Sequence, residues 1–107
     1  MAGCAERYVL AIDLGTSGAK VAVATSHGRI LSHDFEPTGL CLLPGGGAEQ
    51  DPEDWWRAVV LAARSSLEAA EIPAGDIAAV SCTTQWSGTG PVVSTPPPRW
   101  RAVAQEP

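Results

Sequence analysis

Four residues, Gly15-Thr16-Ser17-Gly18, separate two apolar, β-rich segments, and that gap constrains the fold more than any other feature of the chain. The first segment is RYVLAIDL at 7–14 and the second is AKVAVAT at 19–25. A parallel crossover needs about a dozen residues or more, so these two strands must run antiparallel. SHG at 26–28 is a second turn signal and RILSHDFE at 29–36 reads as a third strand, which completes an antiparallel meander. A dinucleotide-binding βαβ unit needs a helix directly after its first glycine turn, and the short gap excludes it.

PTGLCLLPGGGAEQ, residues 37–50, holds two prolines and four glycines and is expected to be a loop. DPEDWWRAVVLAARSSLEAAE then predicts a helix. Asp51 is its N-cap, Pro52 its first residue, and Glu53 and Asp54 sit where unpaired N–H groups favour negative charge. Capping therefore explains this acidic cluster better than a catalytic carboxylate pair. Trp56, Val59, Val60, Ala63 and Leu67 recur at three-and-four spacing and form the face expected to cover the sheet. IPAGDI turns the chain back, and IAAVSCT at 77–83 is a strand that a right-handed crossover places parallel to its neighbour. TQWSGTGPV, residues 84–92, follows the carboxyl end of that strand, where open α/β sheets bind ligands, so Gln85 and Trp86 become candidates. After Val93, STPPPRWRAVAQEP at 94–107 is expected to be an irregular tail because three consecutive prolines exclude a central strand.

The chain has 107 residues, enough for one small domain. Seven basic against twelve acidic residues leave a net charge of -5, which argues against nucleic acid or an anionic membrane as partner. No apolar run approaches a bilayer span, MAGCAERY is no secretory signal, and the expected location is cytoplasmic. Cys4, Cys41 and Cys82 are widely spaced and read as reduced thiols, with Cys82 expected in the core. His27 and His33 have no zinc-ligand spacing to them.

The turn itself carries the chemistry. Glycines at 15 and 18 let successive N–H groups converge on an anion, and Thr16 and Ser17 add hydroxyls. Asp13 beside phosphates would repel them unless a cation stood between, so its natural task is to hold Mg2+. Lys20 supplies a positive charge that either approaches the phosphates or points to solvent. GxxxxGK[ST] is absent, so this is no Walker loop. The residues leave two readings open, a phosphate site and an ordinary hairpin turn.

AIDLGTSGAKVAVATSHGRIL, then EQDPEDWWRAV, then AAVSCTTQWSG, together resemble the N-terminal region of the FGGY carbohydrate kinases, and their xylulokinase-like members most closely. The resemblance covers about residues 7–92 and implies an α/β, ribonuclease-H-like fold of the kind shared by sugar kinases and actin. It implies an ATP-dependent phosphotransferase acting with Mg2+ on a hydroxyl of a sugar or polyol such as D-xylulose. By the resemblance Asp13 is metal- and phosphate-associated and Gly15, Thr16 and Ser17 are the phosphate loop; Gly18 and Lys20 join the expected phosphate contacts from the reading of the turn itself. Gln85 matches the glutamine of the family's GQ segment near the sugar. Thr84 stands where glycine is usual, and Trp86-Ser87 where xylulokinases often have Met-His.

The family's catalytic aspartate and second lobe have no counterpart in the matching segments. The fragment, a partial N-terminal domain over 7–93, is therefore expected to be inactive by itself, since phosphoryl transfer needs several elements acting together. A truncation, a shifted frame or a short natural protein would each give the departure at STPPPRWRAVAQEP. A noncatalytic ribonuclease-H-like module is the alternative from another class. With one helix over the sheet, an exposed apolar face is expected, and with it self-association.

Overall fold

The computed structural model describes residues 5–85, 88–89 and 102–104. Strands β1 (Tyr8–Leu14), β2 (Gly18–Thr25) and β3 (Ile30–Pro37) form the expected meander, with β1–β2 and β2–β3 antiparallel. After helix α1 (Pro52–Ala70) and a short 3-10 turn (Ala74–Asp76), strand β6 (Ile77–Thr84) joins β1 in parallel. The order across this mixed sheet is β3-β2-β1-β6.

Alternation along β2 sorts the two faces of the sheet. Ala19, Val21 and Val23 are buried beneath α1, while Lys20 and Ala22 point the other way. Leu10, Val21, Val23 and Ala62 are the centre of the core, and Ile12, Leu67, Ile72 and Ile77 pack around them. α1 lies over β2 and β3, which leaves Val80 on β6 63% exposed.

The helix begins as its sequence dictates. The Asp51 carboxylate accepts from the Glu53 N–H, and Pro52 opens the first turn. The buried stripe differs from the expected one. It runs through Ala58, Ala62 and Ser66, and Trp56 is 68% exposed. Small residues allow the helix backbone to approach β2 closely enough for polar contacts. The Ser66 hydroxyl donates to the Val21 carbonyl at 3.1 Å, and the Ser32 hydroxyl donates to the Ser66 carbonyl.

Two further expectations are corrected. Residues 37–50 are not loop throughout, because β4 (Cys41–Leu42) and β5 (Ala48–Gln50) pair as a hairpin. Gly45 and Gly46 adopt φ of 89° and 92°, conformations glycine accepts without strain, and Leu43 N–H closes the turn on the Gly47 carbonyl. Within the tail expected to be irregular, β8 (Ala102–Ala104) is a strand that joins β5 to β7 (Gly88–Thr89) in a second sheet of order β4-β5-β8-β7. The prolines restrict only their own positions, and Ala-Val-Ala beyond them is free to pair. Cys82 is exposed rather than core, because its edge strand lies beyond the cover of α1.

Candidate functional site

The turn between β1 and β2 closes with a hydrogen bond from the Gly15 N–H to the Gly18 carbonyl at 3.0 Å. Thr16 and Ser17 stand exposed at its tip, and their backbone N–H groups donate to no other described residue. Two adjacent free N–H groups in a glycine-bounded turn are the elements of an anion nest. Gly18 is required here by crowding. A Cβ at this position would lie 2.7 Å from the Phe35 ring and would also strike the Glu36 carbonyl.

On the face opposite α1, cross-strand register lines up Phe35, Lys20, Asp13 and Thr83 across β3, β2, β1 and β6. The next row is His33, Ala22, Ala11 and Ser81. These two rows line an open groove of about 480 Å³. Asp13 and Lys20 are both exposed, are partners in the β1–β2 register and share this face next to the turn. The groove thus joins a carboxylate, an ammonium, hydroxyls and an aromatic ring over a floor of alanines.

Behind the turn lies a hydrogen-bonded cluster of long sequence range. The Gln50 amide nitrogen donates to the Thr16 carbonyl at 2.8 Å and to the Gly39 carbonyl at 3.1 Å. Its oxygen accepts from the Trp55 indole at 3.3 Å and from the Gln85 amide at 3.0 Å. The Gln85 oxygen accepts from the Thr16 hydroxyl at 2.7 Å, and the Gln85 backbone N–H donates to the Leu14 carbonyl. Thr38 adds a backbone bond to the Ser17 carbonyl. Gln85 is therefore brought to the turn, whereas Trp86 lies outside the described residues.

The acidic residues at the start of α1 serve the same scaffold. Asp54 accepts from the Gly39 N–H at 2.7 Å and pairs with Arg57, which reaches Glu36 and the Pro37 carbonyl. The Gly39 N–H, with the Arg57 guanidinium second, holds the Asp54 carboxyl below its ordinary value of 3.8. Its two partners raise the Arg57 pKa in turn.

Sequence reasoning did not single out Gln50 or Trp55. One signal was available for Trp55: of two successive tryptophans on a helix only one can face inward, and an inward indole N–H needs an acceptor. Gln50, two residues before Pro52, had no such local sign.

Residues 8–93 match the FGGY family of carbohydrate kinases, N-terminal domain. The chain is 30% identical over 82 residues to a xylulose kinase of Bacillus subtilis, covering 77% of this chain and 16% of that protein. It is 35% identical over 78 residues to a glycerol kinase of Paracidovorax citrulli, covering 73% of this chain and 15% of that protein. A glycerol kinase of Sinorhizobium fredii matches with 35% identity over 78 residues, 73% of this chain and 16% of the relative. The chain thus spans 15–16% of the length of these curated relatives. The match over most of its length, with the meander, crossover helix and parallel strand it requires, shows that the chain belongs to the FGGY family of carbohydrate kinases, in the family's ribonuclease-H-like N-terminal domain.

Proposed function

We propose that this chain is the phosphate-facing N-terminal part of an ATP-dependent kinase that phosphorylates a hydroxyl of a sugar or polyol, with D-xylulose as the first candidate. The observation that carries the reading is the adjacency of the Asp13–Lys20 pair to a turn with two free N–H groups. In this reading the Thr16 and Ser17 N–H groups receive phosphate oxygens, and Lys20 balances their charge. Gln85 faces the acceptor sugar, and Trp86, next in the chain, is the second candidate for that contact.

Among the described residues no three metal-ligating side chains cluster. A single exposed carboxylate suits Mg2+, which is commonly held by one or two carboxylates, water and the substrate's phosphates. Asp13 would hold the ion, which when bound withdraws charge from the β- and γ-phosphate oxygens. In this reading the described residues orient phosphates, and proton removal and closure over the nucleotide fall to other elements.

A chimera tests the proposal. Residues 8–93 replace the matching segment of the Bacillus subtilis xylulose kinase, and a second chimera is built on the Paracidovorax citrulli glycerol kinase. We expect ATP-dependent phosphorylation of D-xylulose by the first, reduced by at least about 100-fold in its Asp13→Ala form, because metal positioning is worth several kcal/mol. A folded chimera that binds ATP but is indifferent to Asp13→Ala would overturn the assignment. Activity in the glycerol chimera alone would move the substrate from ketose to polyol.

A further inference from the structure

We infer that Gln50 is a positioning residue that sets the direction of each side-chain proton between the Gly15–Gly18 turn and Gln85, and thereby decides which hydroxyl of the turn can donate to a ligand. The inference rests on the reading of that turn as a phosphate site.

Gln50 is 3% exposed, so its amide cannot rely on water. An amide offers two N–H donors and an oxygen with two lone pairs. Both donors meet backbone carbonyls, those of Thr16 and Gly39, and both lone pairs meet N–H donors, those of Trp55 and Gln85. A backbone carbonyl only accepts and an indole N–H only donates. Turning the Gln50 amide over would set oxygen against oxygen on one side and N–H against N–H on the other. The surrounding backbone therefore dictates the amide orientation, which an isolated glutamine leaves ambiguous.

That orientation propagates. Because Gln50 presents oxygen to Gln85, Gln85 must present its NH2 to Gln50 and its own oxygen to Thr16. The Gln85 oxygen can only accept, so the single Thr16 hydroxyl proton is committed to it at 2.7 Å. Thr16 then offers the turn lone pairs alone. Phosphate oxygens need donors, so the Thr16 side chain is unsuited to them and matches a donor such as a metal-bound water or a substrate hydroxyl. Ser17, exposed and with its hydroxyl engaged by no other described residue, keeps a proton free for phosphate. Gln50 touches neither ligand, yet it selects Ser17 over Thr16.

The test uses the full 15N-labelled chain, first without nucleotide. The side-chain NH2 groups of Gln50 and Gln85 should exchange at least about tenfold more slowly than a free glutamine amide, as protected buried donors do. In Gln50→Met, which keeps the shape and removes the amide, the Gln85 NH2 protection should disappear while thermal unfolding stays cooperative. Retained Gln85 protection in that variant would overturn the inference. Should Gln50→Met fail to fold, Thr16→Val and Ser17→Ala carry the decision through titration with MgATP. Ser17→Ala should weaken binding about tenfold, the scale of one hydrogen bond to a charged group, and Thr16→Val by less than about threefold on the same scale. Equal losses would overturn the inference. Absence of any MgATP response in the unmutated chain would sink the phosphate reading, while the amide exchange still judges the role of Gln50.

Discussion

Asp13 on β1 and Lys20 on β2 are partners across an antiparallel ladder, and they bracket the Gly15–Gly18 turn on the sheet face that α1 leaves open. The ladder sets the two opposite charges on neighbouring strands, where both face the groove. Their position follows from register alone. A slip of one residue would send the Asp13 carboxylate into the core beside Leu10 and Val21. The same hairpin that builds the core therefore aims the two charges.

Gly18→Ala should disturb the turn. The added methyl collides with the Phe35 ring and the Glu36 carbonyl, and backbone on one side cannot yield as a side chain does. Overpacking of this kind costs about 1–3 kcal/mol. Urea unfolding should show that loss, with amide shifts at Gly15 to Lys20. An unchanged midpoint would mean that Phe35 swings clear.

Ser66 joins the helix to the sheet from a fully buried position, donating to the Val21 carbonyl. Ser66→Ala keeps the small side chain and removes one hydrogen bond, a loss of about 1 kcal/mol. Ser66→Leu forces α1 away from β2 and should cost about 1–3 kcal/mol or more. Comparison of their unfolding midpoints checks the ranking, and a more stable leucine variant would contradict the close approach described above.

Acid should loosen the loop that follows β3. The Asp54 carboxyl is held below its ordinary value of 3.8 by the Gly39 N–H and then Arg57, so the folded state favours its charged form. That contribution is complete above 3.8 and is lost as pH falls through the lower folded value. Glu6, bound by the Thr25 hydroxyl and Arg29, and Asp34, bound by the Ser65 hydroxyl and the Phe35 N–H, act in the same direction. Thermal melts should therefore fall progressively on acidification below about pH 5. Asp54→Asn should flatten part of that fall without removing it. An identical pH profile would show that the Gly39 contact carries no stability.

Much of this structure was legible in the sequence, for reasons that differ by element. The meander followed from turn lengths too short for a crossover, and the α1 cap from Asp51-Pro52, where one side chain and one ring act locally. The inward face of α1 was legible in part: Ala63 and Leu67 pack on the core as expected, but large apolar residues were weighted over the small ones, so Trp56 was placed inward and Ala58, Ala62 and Ser66, buried by close approach rather than by hydrophobicity, were passed over. The β4–β5 hairpin was hidden because glycine and proline mark turns without showing what flanks them. Asp13, Lys20 and the turn could be named from local sequence. Gln50 could not, since its partners at Thr16, Gly39 and Gln85 meet it only after the chain has folded.

The central claim is that the Gly15–Gly18 turn, with Asp13, is a metal-assisted phosphate contact. Titrating the 15N-labelled chain with ATP, with and without Mg2+, tests it most directly. Saturable shifts confined to the amides of Asp13 to Lys20 are expected, stronger with Mg2+ present, with loss of that Mg2+ enhancement in Asp13→Ala. Shifts that are absent, scattered over the sheet, or equally strong without Mg2+ and in Asp13→Ala would contradict it.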